Sequence, residues 1–384
     1  MGTHPSNPSK DVSTNRPLLN ILQTNQSLLS PSVIEKYGPN LPFLFKVLSI
    51  RKALSIQAHP DKSLAERLHA QDPKNYPDDN HKPEMAIAVS EFDGFCGFRP
   101  LEEIVAFLKI VPPLRKLVGE DESDAFINTV SGKETSTNES DIKSNKSSLR
   151  SLYGKLMSAS NDTIATCSQE LLDLATTKPD TLPATNSGQV SSKTLSELLL
   201  RLNSQFPNDI GLFNTFLLNY VRLYPGEAMF LRANEPHAYL SGDIMECMAS
   251  SDNVVRAGFT PKFKDVKNLI DMLTYNYASP KEQKMTPIPF RGTKYSILYD
   301  PPIDEFSVLK TELKGEGEEE VVPGIEGPSI SIVEKGSGWI EVGPKREELR
   351  EGWVYFVGAT AEVKLVAEGG EGLVVYRAFC EVEK

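Results

Sequence analysis

Cysteine is scarce in this chain of 384 residues, which has four cysteines and no Cys-x-x-Cys pair. The four lie far apart, at Cys96, Cys167, Cys247 and Cys380. Such spacing argues against a disulfide framework and favours reduced thiols, the usual state in the cytosol. The sequence therefore predicts a cytoplasmic protein.

Long apolar runs and an excess of positive charge are also missing. No stretch approaches the roughly 20 apolar residues that a membrane-spanning helix needs, and no basic and apolar leader opens the chain. The net charge is -11, whereas a general nucleic-acid binder needs a basic surface to neutralise phosphates. We expect neither a membrane nor a nucleic acid as a partner. A local basic pocket for a small anion stays compatible with this composition.

Hydrophobic periodicity divides the chain into blocks of different character. Residues 41–60 and 85–90 are strand-like, residues 98–220 carry mainly helical patterns, and β-character dominates after residue 227. Within the helical block, polar composition predicts a flexible insertion at 119–149 and a loose loop at about 177–192, and 211–220 reads as helical. In the last block, Gly-rich turns such as Glu368–Gly372 separate short strands, which indicates a sandwich or jelly roll.

Two short polar segments bring histidines to the ends of strand-like runs. In the first, Ser55, Gln57 and His59 alternate with apolar residues and so share one strand face. In the second, His237 lies in a turn-rich segment, and Glu84 adds a carboxylate between the two. Imidazole nitrogens with carboxylate and amide oxygens are suitable ligands for a divalent metal such as Zn²⁺. The spacing alone does not show that these side chains meet, and a lone histidine is more often structural.

Cations accompany these segments. They are Lys46, Lys62, Lys82, Arg256 and Lys262. The ordinary interpretation of such residues is a solvated surface. If they converge beside a metal, they favour a phosphate group and a developing oxyanion.

Five ordered segments together resemble type I phosphomannose isomerases over nearly the whole chain. They are 1–6, 54–62, 80–84, 235–243 and 246–264. The resemblance implies a mainly β fold with a helical insertion: a cupin-type jelly-roll metal domain (1–97 and 209–275), a helical domain (98–208) and a second, cupin-like β domain (276–384). It also implies a monomer that acts on a sugar phosphate, interconverting mannose 6-phosphate and fructose 6-phosphate to supply GDP-mannose synthesis.

The resemblance implies specific site residues as well. One Zn²⁺ would be bound by Gln57, His59, Glu84 and His237. Arg256 would be the active-site arginine. The residues that match positions around the sugar and phosphate pocket are Lys46, Ser55, Lys62, Lys82 and Lys262.

The isomerisation itself needs a proton to move between C1 and C2, through a cis-enediol whose oxygens carry negative charge. Arg256 does not readily lose a proton, so we assign it to electrostatic stabilisation rather than to the base. The proton carrier should have a pKa tuned toward neutrality. The candidates are His81, Lys82 and Glu246, and the sequence does not choose among them.

Two alternative functions stay open. A metal-dependent cupin dioxygenase also uses histidines and a carboxylate with open positions for oxygen. A catalytically silent sugar-phosphate-binding cupin is the other, because in the family the segment matching Met1–Ser6 follows an N-terminal segment with early strands. On that comparison Met1 is an internal methionine rather than the start of a myristoylation signal, and a sheet edge is expected to be exposed.

Overall fold

The computed structural model describes residues 1–185 and 190–382, in which the first of two antiparallel sheets packs against a helical block on one side and against the second sheet on the other. The first sheet contains β1 (Phe43–Ile50), β2 (Ile56–Ala58), β3 (Glu84–Ala88), β4 (Phe92–Phe98), β5 (Leu218–Leu223), β6 (Ala228–Leu231), β7 (His237–Ala249), β8 (Val255–Gly258) and β9 (Lys284–Met285). The second contains β10 (Ile288–Pro289), β11 (Ser296–Tyr299), β12 (Ser307–Leu313), β13 (Glu319–Val322), β14 (Ser329–Val342), β15 (Lys345–Arg350), β16 (Val354–Val357) and β17 (Val363–Phe379).

Most of the helices lie between β4 and β5. The α-helices are α1 (Leu18–Thr24), α2 (Pro31–Tyr37), α3 (Lys62–Gln71), α4 (Leu101–Ile110), α5 (Pro112–Val118), α6 (Glu120–Val130), α7 (Glu139–Met157), α8 (Asn161–Thr177), α9 (Ser192–Gln205), α10 (Gly211–Asn214), α11 (Val266–Met272) and α12 (Pro280–Gln283). Short 3-10 helices cover Gln26–Leu28 and Pro179–Thr181. No helix in these described ranges is both long and apolar enough to cross a membrane.

Strand β7 organises the first sheet because it changes partners along its length. Its first part pairs with β2 and β4, and its second part pairs with β1 and β3. The change occurs at Gly242, whose φ is 106°. A Cβ atom there would lie 2.4 Å from the carbonyl oxygen of Glu91, so glycine permits this close approach. Strand β7 therefore belongs to both halves of the sheet and contributes residues to the inner face in each half.

Strand alternation separates an inner face of the first sheet from two outer faces. The inner core contains Ala86, Tyr239 and Ile244, among others. On one outer side, Ala58, Ala238 and Val255 pack with the helical block. On the other, residues of β1, β3 and β7 pack against the second sheet, which has a separate core of its own. Since neighbouring residues on a strand face opposite sides, the neighbours of these outer residues point inward.

The segment 119–149 is helical, and the prediction of a flexible insertion was wrong. Helix α6 buries Phe126 and Val130, while α7 buries a longer apolar stripe that begins within the predicted loop. Asn138 caps α7, with its Oδ1 accepting a hydrogen bond from the Ser140 N–H at 2.9 Å. A polar helix gains most of its stability from packing one narrow apolar face, and composition alone does not reveal that packing.

Three further local predictions need correction or restriction. Within 211–220, only Gly211–Asn214 is helical, and β5 begins at Leu218 because that apolar segment pairs with β4. The expected turn at Glu368–Gly372 is a bulge inside the continuous strand β17, since Glu368 pairs with Ser337 and Leu373 pairs with Gly336. In the predicted loop 177–192, residues 186–189 lie outside the described residues.

The predicted fold class is confirmed: two antiparallel β domains and a helical insertion are present. The insertion is long enough that the chain has about as much helix as strand. The domain limits 1–97, 98–208, 209–275 and 276–384 stay predictions.

Candidate functional site

His59, Glu84 and His237 meet on the inner face of the first sheet. One ligand atom from each lies within 4.8 Å of the other two, and all three residues are buried. The Nε2 atom of His59 is 3.2 Å from Glu84 Oε1, and the Nε2 atom of His237 is 3.5 Å from Glu84 Oε2. The structure thus brings together three of the four residues predicted as ligands, although they come from distant parts of the sequence.

Short strands position these side chains. Gln57 on β2 is the register partner of His237 on β7 and of Arg256 on β8. Glu84 opens β3, where it pairs with Met248 of β7. Because Ala58, Ala238 and Val255 face the helices, their neighbours Gln57, His237 and Arg256 belong to the inner face.

Backbone carbonyl groups hold both imidazole rings. His59 Nδ1 lies 2.6 Å from the Asn253 carbonyl oxygen, and His237 Nδ1 lies 3.2 Å from that of Glu235. A carbonyl oxygen only accepts, so Nδ1 must carry the proton in each ring. In a neutral ring, Nε2 is then the lone-pair atom and is directed at the site, the arrangement typical of metal-binding histidines.

The donor set fits a divalent cation. Both Nε2 atoms are buried and make no hydrogen bond, although each faces a carboxylate oxygen of Glu84. Two lone-pair atoms this close repel each other unless a cation lies between them. Two imidazole nitrogens and a carboxylate form a suitable set for Zn²⁺, with positions left for further oxygen ligands.

Burial and neighbouring charges prepare these groups for binding. Burial lowers the pKa of His59 to about 4, more than the opposing charge of Glu84 raises it, so the ring is neutral at pH 7. Burial by itself would raise the pKa of Glu84, but neighbouring positive charge holds it well below the ordinary value. Lys82 supplies part of this charge, with its Nζ atom 3.3 Å from Glu84 Oε1. At neutral pH, no proton must leave either group before a metal binds.

Gln57, the fourth predicted ligand, lies beside this cluster in the register of β2 and β7. Its Oε1 atom accepts a hydrogen bond from Ser55 Oγ at 3.2 Å. Both side chains are half-buried, and the alternation of β2 puts them on the same side, as the sequence predicted. The amide oxygen has a second lone pair beyond the one used by Ser55.

A second charged pair lies on the same inner face. Glu246 on β7 pairs with Lys46 on β1, and Lys46 Nζ is 3.1 Å from Glu246 Oε2. Burial raises the pKa of Glu246, and the negative charge of Glu84 adds to this effect. Tyr239 belongs to the same group, since its hydroxyl donates to Glu84 Oε2 at 3.2 Å. Three predicted residues, Lys46, Lys82 and Glu246, therefore surround the ligand cluster.

The remaining predicted residues lie toward the outside. Arg256 is half-buried, whereas Lys62 and Lys262 are exposed. Lys62 Nζ donates to Asn80 Oδ1 at 3.0 Å. His81 contacts the second β domain, with its Nε2 atom 2.6 Å from Glu305 Oε1. Among the candidates for proton transfer, His81 is thus the one engaged outside the cluster.

Tyr239 and Asn253 are two residues of the site that the sequence patterns did not predict. Tyr239 was detectable in principle, because it lies two residues after His237 and so shares its strand face. Asn253 acts through its backbone carbonyl, for which residue type gives no signal. Only the fold reveals that this carbonyl faces His59.

Family models match three parts of the chain. The catalytic domain of type I phosphomannose isomerase matches residues 1–101. The helical insertion domain of the same family matches residues 117–218, and its C-terminal domain matches residues 296–345.

Full-length relatives agree with these matches. Mannose-6-phosphate isomerase of Aspergillus fumigatus is 56% identical over 396 residues, covering 100% of this chain and 87% of the relative. The enzyme of the same name from Saccharomyces cerevisiae is 49% identical over 388 residues, covering 99% of this chain and 88% of the relative. Neither the dioxygenase nor the silent binding protein finds support in these matches.

Solved structures show the same similarity at lower identity. A zinc-bound mannose 6-phosphate isomerase aligns with a TM-score of 0.80 and 27% identity, covering 99% of this chain and 90% of the other. A point mutant of phosphomannose isomerase from Salmonella typhimurium aligns with a TM-score of 0.78 and 27% identity, with the same coverage. The resemblance inferred from the sequence is confirmed, and this chain belongs to the type I phosphomannose isomerase family of enzymes.

Proposed function

We propose that this chain interconverts mannose 6-phosphate and fructose 6-phosphate, with one zinc ion bound by Gln57, His59, Glu84 and His237. The main support for this proposal is the buried cluster in which two imidazole lone pairs face one carboxylate. Membership of the family indicates the substrate, because the named relatives are mannose-6-phosphate isomerases. The proposed route is proton transfer between C1 and C2 through a cis-enediol.

A zinc ion bound here would act as a Lewis acid on the substrate oxygens or as a template that orients them. The protein's own contribution is to fix the donors. Glu84 supplies one negative charge, and an imidazole ring that gives its lone pair to the ion supplies none. This leaves a net positive centre, which favours an oxyanion nearby.

Glu246 is the group that we propose as proton carrier. Its buried carboxyl has a pKa raised by burial and by Glu84, which moves it toward the range suited to acid–base catalysis. Lys46, at 3.1 Å, stabilises the ionised form that accepts the proton. In this proposal, Glu246 takes the proton from C2 of the aldose and returns it to C1, while the proton of the C2 hydroxyl passes to the C1 oxygen, so that the carbonyl moves from C1 to C2.

The other cations suit different parts of the substrate. Lys82 is buried next to Glu84, so we propose that it contacts the enediol oxygens. Arg256 shares the inner face with Gln57, and its permanent charge suits stabilisation of the same oxyanion. The exposed Lys62 and Lys262 are proposed to attract the 6-phosphate at the entrance, where long flexible side chains reach a dianion.

A coupled assay of mannose 6-phosphate conversion tests the proposal directly. We expect turnover in the purified chain, loss of turnover on treatment with a chelator, and recovery on addition of zinc. Absence of turnover in protein that contains one equivalent of zinc would contradict the proposed function. Oxygen consumption in place of isomerisation would favour the dioxygenase.

We also propose that the protein is cytoplasmic, works as a monomer and supplies mannose for GDP-mannose synthesis. The dispersed cysteines support the first point. Light scattering during size-exclusion chromatography tests the oligomeric state, and a mass twice that of the chain would contradict a monomer.

A further inference from the structure

Asp78 lies at the centre of a hydrogen-bonded connection between two loops that flank the candidate metal centre. Its Oδ1 atom accepts from Ser251 Oγ at 2.7 Å, and its Oδ2 atom accepts from the Asp252 N–H at 2.7 Å. Its Oδ1 atom also accepts from Asn253 Nδ2 at 3.1 Å. One carboxylate therefore holds three consecutive residues of the loop before β8.

Asn253 completes this connection from the other side. Its Nδ2 atom donates to the carbonyl oxygens of Asp78 at 2.7 Å and of Asn80 at 2.9 Å. Asn80 in turn donates from Nδ2 to the Ser250 carbonyl oxygen at 3.0 Å. Asn253 is fully buried, so these bonds are shielded from water. We call the group Asp78, Asn80, Ser251 and Asn253 the loop clamp.

The loop clamp touches the metal centre through backbone connections. The Asn253 carbonyl oxygen accepts a hydrogen bond from His59 Nδ1 at 2.6 Å, and this bond fixes the orientation of the ring. Three residues further on, Arg256 occupies β8. On the other loop, Asn80 is followed by Lys82 and by Glu84. The clamp thereby sets the relative positions of two loops that carry a ring support, a carboxylate and two cations.

We infer that Asp78 and Asn253 are positioning residues for the metal ligand His59, and that zinc affinity depends on their side-chain bonds. The inference rests on the proposed function, since it takes His59 as a ligand. Groups that hold metal-binding histidines typically change metal affinity by 10–100-fold when removed. Here the supporting carbonyl belongs to a loop that is itself held by the carboxylate of Asp78.

Asn253→Asp tests the inference with little change of size. The new carboxylate cannot donate, so it loses its bonds to both carbonyls and faces the charge of Asp78. We expect zinc affinity, measured by competition with a chromophoric chelator, to fall by about 10–100-fold. In cobalt-substituted protein, the visible absorption bands should change shape, because the His59 ring would no longer be held at one angle.

Ser251→Ala provides a milder variant in case Asn253→Asp does not fold. It removes the bonds from Ser251 Oγ to Asp78 and to the Asn80 carbonyl, and the bond from the Asn253 N–H to Ser251 Oγ, but it leaves the Asn253 side-chain amide in place. A smaller decrease in zinc affinity than in Asn253→Asp is expected, together with a smaller decrease in the urea midpoint of the metal-free protein. Asp72→Asn is the control. The Asp72 carboxylate also accepts hydrogen bonds from two amide groups, the N–H and Nδ2 of Asn75, but it lies at the end of α3 and is not part of the loop clamp.

The possible results separate two failures. Wild-type affinity and wild-type cobalt spectra in both Asn253→Asp and Ser251→Ala would overturn the clamp inference alone. If instead His59→Ala retains zinc as tightly as the wild type, the proposed ligand set is wrong. An equal loss of affinity in Asp72→Asn would also overturn the inference, since the effect would then not be specific to the clamp.

Discussion

Lys46 and Glu246 lie directly opposite each other in the antiparallel pairing of β1 and β7, with Nζ and Oε2 3.1 Å apart. Glu246 is 4% exposed, so its carboxylate exchanges few contacts with water. On its other side, β3 places only the small Ala86 in register with it. A buried carboxyl with a cationic partner at this distance is suited to proton transfer with a bound substrate.

Glu246→Gln should reduce kcat by about 10²–10⁴-fold, because the amide cannot carry the proton. Bound zinc should be retained, since the three clustered ligand residues are unchanged. Steady-state kinetics and zinc analysis of the same preparation measure both effects.

Glu227→Gln is a control for Glu246→Gln, because Glu227 makes an ion pair with Lys284 outside the candidate site. Its kcat should equal that of the wild type. A Glu246→Gln variant with full activity would show that another group carries the proton.

His237→Ala should remove both zinc and activity. The substitution deletes one of the two imidazole donors, and its effect on zinc affinity should exceed the roughly 100-fold typical of lost supporting groups. Metal analysis after dialysis and the coupled assay give the two readouts. His69→Ala is the control, since His69 also bonds a backbone carbonyl through Nδ1, that of Tyr76 at 2.7 Å. A zinc-replete, active His237→Ala protein would refute the ligand assignment.

Arg256→Ala should keep the metal and lose catalysis. Removing a preorganised positive charge from an oxyanion typically lowers kcat by about 10²–10³-fold. Arg256→Lys should recover only part of this loss, because an ammonium group lacks the planar fork of donors. Zinc loss in Arg256→Ala would instead indicate that the residue supports the metal ligands. The exposed Arg51 provides a comparison, and Arg51→Ala should behave as the wild type.

The metal-free protein should lose stability as the pH falls from about 6.5 to about 4. In the folded state burial lowers the pKa of His59 to about 4, so the unfolded chain takes up this proton first. Stability that is complete above pH 6.5 therefore decreases through this window, by on the order of 3 kcal/mol from this residue. Because the pKa of Glu84 is also lowered in the folded state, the free energy of unfolding decreases further at more acidic pH.

Urea unfolding across this pH range, in the presence of a chelator, measures the effect. His59→Gln should show a weaker pH dependence between the same limits, since glutamine does not titrate. Identical pH profiles for the two proteins would contradict a buried, neutral His59.

Local sequence patterns predicted the β-strands around the site well. Strand β1 lies within the strand-like segment 41–60, and strand β3 overlaps the segment 85–90. The strand alternation of Ser55, Gln57 and His59 also anticipated which side chains face inward. These features depend on residues that are close together in the chain, so the sequence alone can reveal them.

The polar helices α6 and α7 and the bulge in β17 required the fold. Their stability comes from packing against other elements and from pairing with a distant strand, and neither leaves a strong local pattern. The same holds for the candidate site. The sequence by itself determined which donors and cations the chain has to offer, and the family that they indicate. Only the tertiary structure decided that His59, Glu84 and His237 converge. It also decided that His81 contacts Glu305 and that the Asn253 carbonyl holds His59. Each of these contacts joins segments that are distant in the sequence and that only the folded chain brings together.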